Sequence, residues 1–225
     1  SPFITLTIGG TTKQAVYASG TGTTSLVFTY TIEAGLTDAD GISIGQDAIT
    51  LNGATLRDGS GADATLTHAS VAANSSYGVD TTVPSISDVI TSFGESLNAT
   101  EDNSDATATI TTIGVEDGQT VTLTTGGRDY TGTVANNSAV ITFPAADLQA
   151  LSEGANSYAV NVSDAAGNAA VESTGSFPVD TTAPSISDTS FSFGESLNAT
   201  EDNSDATATI TTIGVEDGQT VTLTT

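Results

Sequence analysis

The chain has 225 residues and carries 27 aspartates and glutamates against 3 lysines and arginines, a formal net charge of −24 at pH 7. This charge excludes nucleic acid and anionic membrane surfaces as partners, because both require basic groups on the protein. Cysteine is absent, so a packed sheet core or metal ions must replace disulfides if the chain is extracellular. No apolar run reaches the roughly 18 residues of a membrane-spanning segment.

Residues 1–83 contain short runs in which apolar and polar residues alternate, a pattern typical of half-buried β-strands. Gly9-Gly10 directly follows the first run and predicts a tight turn. This segment is therefore predicted to be all β. Strands are predicted at 3–8, 15–17, 25–32, 42–44, 48–51, 54–56 and 64–67.

The central part of the chain shows the same alternation between 85 and 178, with Asp-Gly, Gly-Gly and Asn-Asn turn signals between the runs. Seven short strands with turns between them predict an antiparallel β-sandwich. One short helix is predicted within 144–151, because Pro144 stands at its start and Gly154 lies just past its end. The predicted strands are 85–93, 105–113, 119–125, 129–134, 138–143, 156–163 and 170–178.

The most informative feature of the sequence is a near-exact repeat: residues 79–125 recur as 179–225, displaced by 100 positions. A period of this length indicates tandem domains and not a solenoid. The repeat predicts an incomplete module of a different type at 1–83, a complete unit at 84–183 and the N-terminal part of a second copy at 184–225. The differing pairs are Val83/Ala183, Val89/Thr189, Ile90/Ser190 and Thr91/Phe191.

The junctions between units are short and contain the motif Val-Asp-Thr-Thr-Val/Ala-Pro, at 79–84 and 179–184. Proline stiffens this junction, and no glycine-serine hinge is present, so a fixed, extended row of domains is expected. The second copy contains only the first three predicted strands of a unit. We therefore expect the chain to begin and end inside domains of a longer polypeptide; the alternative is that neighbouring chains complete the ends by strand donation.

Residues 157–170, Ser-Tyr-Ala-Val-Asn-Val-Ser-Asp-Ala-Ala-Gly-Asn-Ala-Ala, followed by the motif at 179–184, resemble the bacterial immunoglobulin-like repeats of giant secreted adhesins of the RTX and biofilm-associated type. The resemblance covers 84–183 fully and 184–225 as a partial copy, while 14–30 and 51–64 are similar to another module of the same proteins. It implies tandem immunoglobulin-like sandwiches that carry a ligand-binding tip away from the cell surface. It also implies that adjacent domains of one long chain are the partners and that calcium at the junctions makes the rod rigid.

The acidic loops supply the oxygen ligands that Ca²⁺ requires, six to eight per ion. In a seven-strand sandwich, the loops after the second and sixth strands lie at the end that meets the preceding domain, here 115–118 and 163–168. The competing interpretation is that each acid simply forms a turn or is solvated. The predicted ligands of the first junction are Asp80, Glu116, Asp117 and Asp164, and the copy offers Asp180, Glu216 and Asp217.

Further acidic residues are candidates away from these two loops. At the opposite end of the central unit, Glu95, Glu101 and Asp102 are expected to approach the junction that contains Asp180. Asp58 and Asp63 occupy a loop like that of Asp164 and are additional candidate calcium ligands.

No catalytic pattern emerges from the sequence, and the chain is predicted not to be an enzyme. It has no cysteine nucleophile, and its single histidine, His68, lies in a strand-like run without a serine–acid constellation. The predicted function is a structural extender of an extracellular adhesin or fibre. One alternative is a self-assembling filament subunit completed by neighbouring chains. The other is a glycan- or surface-binding module, which a concave, aromatic-lined pocket away from the junctions would favour; Tyr17 and Phe28 are instead predicted to pack within the sheet.

Overall fold

The computed structural model describes residues 1–224, and nearly all of its regular structure is β. The predicted all-β antiparallel fold is confirmed. The N-terminal module forms a four-stranded sheet in the order β3-β2-β1-β5, and a separate short ladder joins β4 to β6. Its strands are β1 (Phe3–Ile8), β2 (Thr11–Ser19), β3 (Val27–Thr29), β4 (Thr37–Asp38), β5 (Ser43–Thr50) and β6 (Val79–Asp80).

The hairpin between β1 and β2 forms as predicted, because Gly9 and Gly10 adopt the positive φ angles, 53° and 75°, that this tight turn requires. The two strands predicted at 42–44 and 48–51 are one strand. Its pairing with β1 shifts between Ile4 and Leu6, and Asp47 within it has a φ of 55°, so a bulge interrupts the strand without ending it.

Two predictions for the N-terminal module are wrong. The strand predicted at 25–32 is reduced to Val27–Thr29. The runs at 54–56 and 64–67 form no strands; a single bridge between Arg57 and Asp63 closes the loop between them. The loop closes locally because the carboxylate of Asp58 accepts hydrogen bonds from the backbone N–H groups of Ser60 and Ala62.

The central unit consists of two facing sheets, one of five strands in the order β11-β10-β13-β14-β8 and one of three strands in the order β12-β9-β7. Seven of its strands match the predicted ones within a few residues. The short β8, which pairs in parallel with the end of β14, was not predicted. The strands are β7 (Ser85–Thr91), β8 (Leu97–Asn98), β9 (Ala106–Ile113), β10 (Thr120–Thr125), β11 (Arg128–Thr133), β12 (Ser138–Phe143), β13 (Gly154–Asn161) and β14 (Ser173–Asp180).

Residues 1–224 also contain three short helical segments. The predicted helix is confirmed as α1 (Ala145–Leu148), which begins after Pro144 and buries Leu148. Two 3₁₀ turns occupy Ser75–Tyr77 and Glu101–Asn103. No helix within residues 1–224 has the length and apolar character needed to cross a membrane.

One hydrophobic core fills the space between the two central sheets, and its buried members lie between Phe93 and Val179. Alternate residues of β9, β10 and β12 point inward, as the two-residue period of a strand requires. Edge-on contacts between aromatic rings add to this packing, for example between Tyr130 and Phe143, whose ring centroids lie 4.9 Å apart. The core thus contains side chains from strands in both halves of the unit.

The second copy forms only β15 (Ser185–Phe191) and β16 (Ala208–Ile213), which pair antiparallel. The third strand predicted there is not formed within 220–224. The equivalent strand in the central unit, β10, is held between β11 and β13, whose sequences come after residue 125. Leu123 is therefore 1% exposed, whereas its counterpart Leu223 is 59% exposed.

The two equivalent leucines provide a matched test of this difference. Leu123→Ala is expected to lower the free energy of unfolding of the central unit by about 2–5 kcal/mol, because it removes a buried side chain and leaves a cavity. Leu223→Ala should change it by less than about 0.5 kcal/mol, since that side chain is already in solvent. Urea unfolding followed by circular dichroism measures both, and equal destabilisation by the two variants would contradict the packing described here.

Candidate functional site at the domain junctions

The first junction motif is bound tightly to the N-terminal module. The Thr81 backbone N–H donates to the Leu36 carbonyl at 2.9 Å, and the Leu36 N–H donates to the Thr81 hydroxyl, also at 2.9 Å. In addition, Asp80 pairs with Thr37 in the ladder between β4 and β6. The junction is therefore an extension of the β-structure of the preceding module.

Asn168 links the same motif to the central unit. Its Nδ2 donates to the Asp80 carbonyl at 3.1 Å and to Oδ2 of Asp164 at 2.8 Å. Its backbone N–H donates to Oδ1 of Asp164, also at 2.8 Å. Asp164 is only 3% exposed. Burial raises the pKa of this carboxyl group, but the hydrogen bonds from Asn168 and from the loop backbone outweigh burial and keep the pKa below its ordinary value.

Three of the four acids predicted for this junction lie around it. Asp80 and Glu116 line one shallow cleft of about 310 Å³ together with Thr37 and Thr82. Oε2 of Glu116 accepts a hydrogen bond from the Ala165 N–H at 2.8 Å, which ties the Glu116 loop to the loop that contains Asp164.

Asp117 is directed elsewhere, since its Oδ1 accepts from the Asn136 N–H in the turn between β11 and β12. Within residues 1–224, no three acidic or histidine side chains are grouped closely enough to hold one metal ion. The oxygen ligands that the first junction could offer to a metal ion are thus the carboxylates of Asp80 and Glu116, with neutral oxygens beside them.

The second junction repeats the local geometry of the first. Oδ1 of Asp180 accepts from the Thr182 N–H at 3.2 Å, as Oδ1 of Asp80 accepts from the Thr82 N–H at 2.9 Å. In both motifs the aspartate bonds its own backbone two residues later, which fixes the turn.

Two of the acids predicted for the far end of the central unit, Glu101 and Asp102, lie in the 3₁₀ turn that follows β8, the strand that pairs with the second junction. The parallel pairing of β8 with β14 places Asn98 opposite Asp180, and Oε2 of Glu101 accepts from the Asn98 N–H. Asp102 is buried, and its Oδ1 accepts from Nδ2 of Asn103.

Glu153 is a junction residue that the sequence did not reveal. Its Oε1 accepts from the Thr181 hydroxyl at 2.6 Å, from the Thr181 N–H at 3.1 Å and from the Thr182 hydroxyl at 3.1 Å. The Thr181 hydroxyl in particular holds the pKa of Glu153 below its ordinary value. Glu153 lies 28 residues before Thr181 in the sequence, in a loop without a recognisable motif, so no local pattern points to this contact.

The remaining predicted ligands lie on exposed surface. Asp63 forms an ion pair with Nε of Arg57 at 2.6 Å. Oδ1 of Asp58 accepts three hydrogen bonds within its own loop, the hydroxyl of Ser60 being the main cause of its lowered pKa. Glu216 and Asp217 are exposed.

A larger cavity, about 630 Å³, lies in the N-terminal module, away from the junctions. Tyr17 and Phe28 line it as a cross-strand pair of β2 and β3, with ring centroids 5.9 Å apart and an edge-on arrangement. The two rings therefore pack on each other, as predicted, while also forming part of a concave wall. Leu26, Leu51 and Arg57 complete much of the lining.

Solved structures provide the comparison that decides the family. A bacterial immunoglobulin-like domain from the ice-binding adhesin of M. primoryensis is 36% identical to this chain, over 44% of this chain and 96% of that domain, with a TM-score of 0.32. The chain belongs to the bacterial immunoglobulin-like domains. No model of a known protein family matches the sequence, and no curated protein matches it significantly.

Two further structures are similar to this immunoglobulin-like chain over most of its length. One is a Ca²⁺-stabilized adhesin that helps an Antarctic bacterium to reach out and bind ice: 26% identical, covering 84% of this chain and 42% of that one, with a TM-score of 0.37. The other is a tetra-tandem repeat from the extending region of a large adhesion protein: 17% identical, covering 95% and 55%, with a TM-score of 0.33. This chain thus spans about half the length of these two proteins.

The contact between Glu153 and the second junction predicts a pH dependence. Because the folded-state pKa of Glu153 is lowered, its hold on the junction is fully present above the ordinary value of 4.5 and is lost as the pH falls through the lower folded-state pKa. The protection of the Thr181 amide against hydrogen exchange, measured by NMR, should therefore fall below about pH 4.5. Glu153→Gln should reduce this protection several-fold already at neutral pH.

Glu172→Gln is the matched control, because Glu172 accepts from Asn161 and does not contact the junction. It should leave the protection of the Thr181 amide unchanged. If both variants gave the protection of the parent protein, Glu153 would have no part in holding the junction.

Proposed function

We propose that this chain is a structural extender segment of a long extracellular bacterial adhesin, located at the cell surface or secreted. The identity to an immunoglobulin-like domain of an ice-binding adhesin supports this role. Its partners in this role are the adjacent domains of the same polypeptide. The internal repeat supports it too, because duplicating a spacer adds length, whereas duplicating a catalytic domain adds little.

The observation that carries this proposal is the bonding of the junction motif to both of its neighbours. Thr81 is bound to Leu36 of the preceding module, and the Asp80 carbonyl is bound to Asn168 of the following unit. A junction that is hydrogen-bonded on both sides transmits force and direction between modules. A flexible linker would have free backbone groups here.

The domain organisation that we propose for this extender follows the internal repeat. We propose an incomplete immunoglobulin-like module of a different subtype at 1–83, a complete repeat at 84–183 and the first part of a second repeat at 184–225. The position of the single central core, between Phe93 and Val179, supports the boundaries of the complete repeat.

We further propose that Ca²⁺ stiffens the junctions. Calcium takes carboxylate, carbonyl, hydroxyl and water oxygens, and extracellular modules bind it with dissociation constants of about 0.1–1 mM. At the first junction Asp80 and Glu116 would hold the ion beside the hydroxyls of Thr37 and Thr82, with Asp164 ordering the adjoining loop. The same role at the second junction falls to Asp180, Glu216 and Asp217, with Glu101 and Asp102 on the side of the central unit; Asp58 and Asp63 form a separate, weaker candidate pair.

Small-angle X-ray scattering and thermal unfolding, with Ca²⁺ and with a chelator, test this role. In about 100-fold excess over its dissociation constant, Ca²⁺ should add about 2.7 kcal/mol to the stability of the folded state. The maximum dimension of the chain should also increase, because stiffer junctions keep the modules aligned. Asp80→Asn combined with Glu116→Gln should remove both effects at the first junction.

Asp117→Asn is the matched control, because Asp117 faces Asn136 and not the cleft. It should retain the calcium response of the parent chain. An unchanged length and melting temperature in the parent chain on adding Ca²⁺ would exclude calcium stiffening. A chain that is flexible under both conditions would exclude the extender role itself.

A ligand-binding module is the second candidate function, and the cavity beside Tyr17 and Phe28 favours it. Its apolar wall and the charged groups of Arg57 and Asp58 at its edge would suit a ligand with one apolar face, such as a sugar ring. NMR titration with a panel of monosaccharides and disaccharides should shift the amides of 17–28 if this function is present. Phe28→Ala should abolish those shifts, and an unchanged spectrum with every sugar would exclude this class of ligand.

A further inference from the structure

A cleft of about 420 Å³ lies on one side of the central unit, at the seam between its two sheets. β7, the edge strand of the three-stranded sheet, forms one wall, and β13 and β14 of the five-stranded sheet form the other. The seam is open here because β8 pairs with β14 only at Val179 and Asp180. The walls of the cleft include Val89, Ile90, Thr91, Glu95, Tyr158 and Phe177.

The internal repeat varies at this cleft. All three positions of 84–125 at which the second copy has a different residue line it in the central unit. The backbone is the same in both copies, because β15 pairs with β16 in the register in which β7 pairs with β9. The two copies thus share one frame and differ in the surface of this wall. The differing pairs are Val89/Thr189, Ile90/Ser190 and Thr91/Phe191.

The edge of β7 beside the cleft is already occupied by local hydrogen bonds. Oδ1 of Asp88 accepts from the Val89 N–H at 2.9 Å, and the Thr91 carbonyl accepts from the Gly94 N–H at 3.1 Å. Both bonds recur at the equivalent positions of the second copy. A strand that added to this edge would need these backbone groups, so a side chain is the better occupant of the cleft.

Tyr158 supplies an aromatic surface on the wall formed by β13. Its cross-strand partner is Gly175, where a Cβ atom would lie only 2.4 Å from the Tyr158 hydroxyl oxygen. The ring therefore lies against the glycine backbone, a close approach that any side chain at 175 would prevent. An aromatic ring that lines a cleft attracts a cation to its face.

Glu95 gives the cleft a preference for positive charge. Its side chain is exposed, and within residues 1–224 no ion pair involves it. A cation beside Glu95 must come from another molecule, and a second copy of this chain offers no unpaired basic side chain. The three basic side chains of the chain are paired as Lys13 with Glu33, Arg57 with Asp63 and Arg128 with Asp147.

We propose that this cleft binds an arginine side chain of a partner polypeptide, in addition to the extender role of the chain. The guanidinium group lies against Tyr158 and pairs with Glu95, because it is planar, stacks on aromatic rings and is weakly hydrated. The methylene groups of the arginine pack on Val89 and Ile90.

Residue 91 determines whether the cleft is open. Threonine is small, and its hydroxyl is turned away to donate to the Gly94 carbonyl at 2.6 Å. Phenylalanine, the residue at the equivalent position of the second copy, would fill the same space with a ring. Repeats with the same frame thus differ in whether they accept an arginine on this side.

The test is an NMR titration of the full chain with the peptide acetyl-Gly-Arg-Gly-amide, at about 0.15 M salt to screen nonspecific attraction to the acidic surface. We expect saturable shifts of the amides of 89–95 and 175–177. The same peptide with citrulline has nearly the shape of arginine without its charge, and it should bind at least about threefold more weakly.

Variants at residue 91 separate filling of the cleft from loss of the hydroxyl. Thr91→Phe should abolish the saturable shifts without lowering the melting temperature, because the same strand register accommodates phenylalanine in the second copy. Thr91→Val keeps the size of the side chain and should bind as the parent chain does.

Variants of the two equivalent glutamates separate a specific ion pair from general attraction. Glu95→Gln should weaken binding about threefold to fivefold, the range of an exposed ion pair. Glu195→Gln removes the same charge from the same local sequence and should have no effect.

Four results would each overturn the proposal. They are the absence of saturable shifts, equal binding of the arginine and citrulline peptides, binding that Thr91→Phe leaves unchanged, and equal weakening by Glu95→Gln and Glu195→Gln. Equal shifts with acetyl-Gly-Phe-Gly-amide would also overturn it, because an apolar side chain would then be the occupant.

Discussion

Burial of the β10 side chains between two sheets is the interaction on which the rest of this structure depends. Val121 and Leu123 are buried because β11 and β13 hold β10 from either side and β12 lies on the facing sheet. These partners are distant in sequence from the first strands of the unit. The stability of an immunoglobulin-like unit is therefore a property of both halves together, and the first half alone leaves Leu223 in solvent.

The acidic residues of the chain have a second physical role beyond solubility. At both junctions they accept hydrogen bonds from backbone N–H groups, threonine hydroxyls or an asparagine amide, as Asp164 does from Asn168 and Glu153 does from Thr181. Hydrogen bonds to the ionised form lower the pKa of these two carboxyl groups, so they stay charged at neutral pH. A chain with a net charge of −24 thus organises its junctions with neutral donors, since basic side chains are scarce.

The sequence predicted the central unit well because its strands alternate cleanly and its turns contain residues that tolerate positive φ, such as Asn136 and Asn137. It predicted the N-terminal module less well. There, the two strands predicted at 42–44 and 48–51 are one strand with a bulge near Asp47. The hydrogen bonds around Asp58 close a loop where strands were expected. The missing third strand of the second copy shows the same limit, because an identical sequence forms a strand only where its partners are present.

The candidate site was predictable in outline, since equivalent positions in the repeat placed Asp80 and Asp180 at corresponding junctions. Its contacts were not, because Glu153 and Asn168 reach the junction motifs through the fold. These contacts also bear on how calcium would act. The junction motif is already hydrogen-bonded to the preceding module through Thr81 and to the central unit through Asn168. An ion shared by Asp80 and Glu116 would therefore add stability to a junction that is already ordered. Loss of calcium would then increase the flexibility between adjacent domains without separating them, because the hydrogen bonds of the junction motif to both neighbours do not involve the metal.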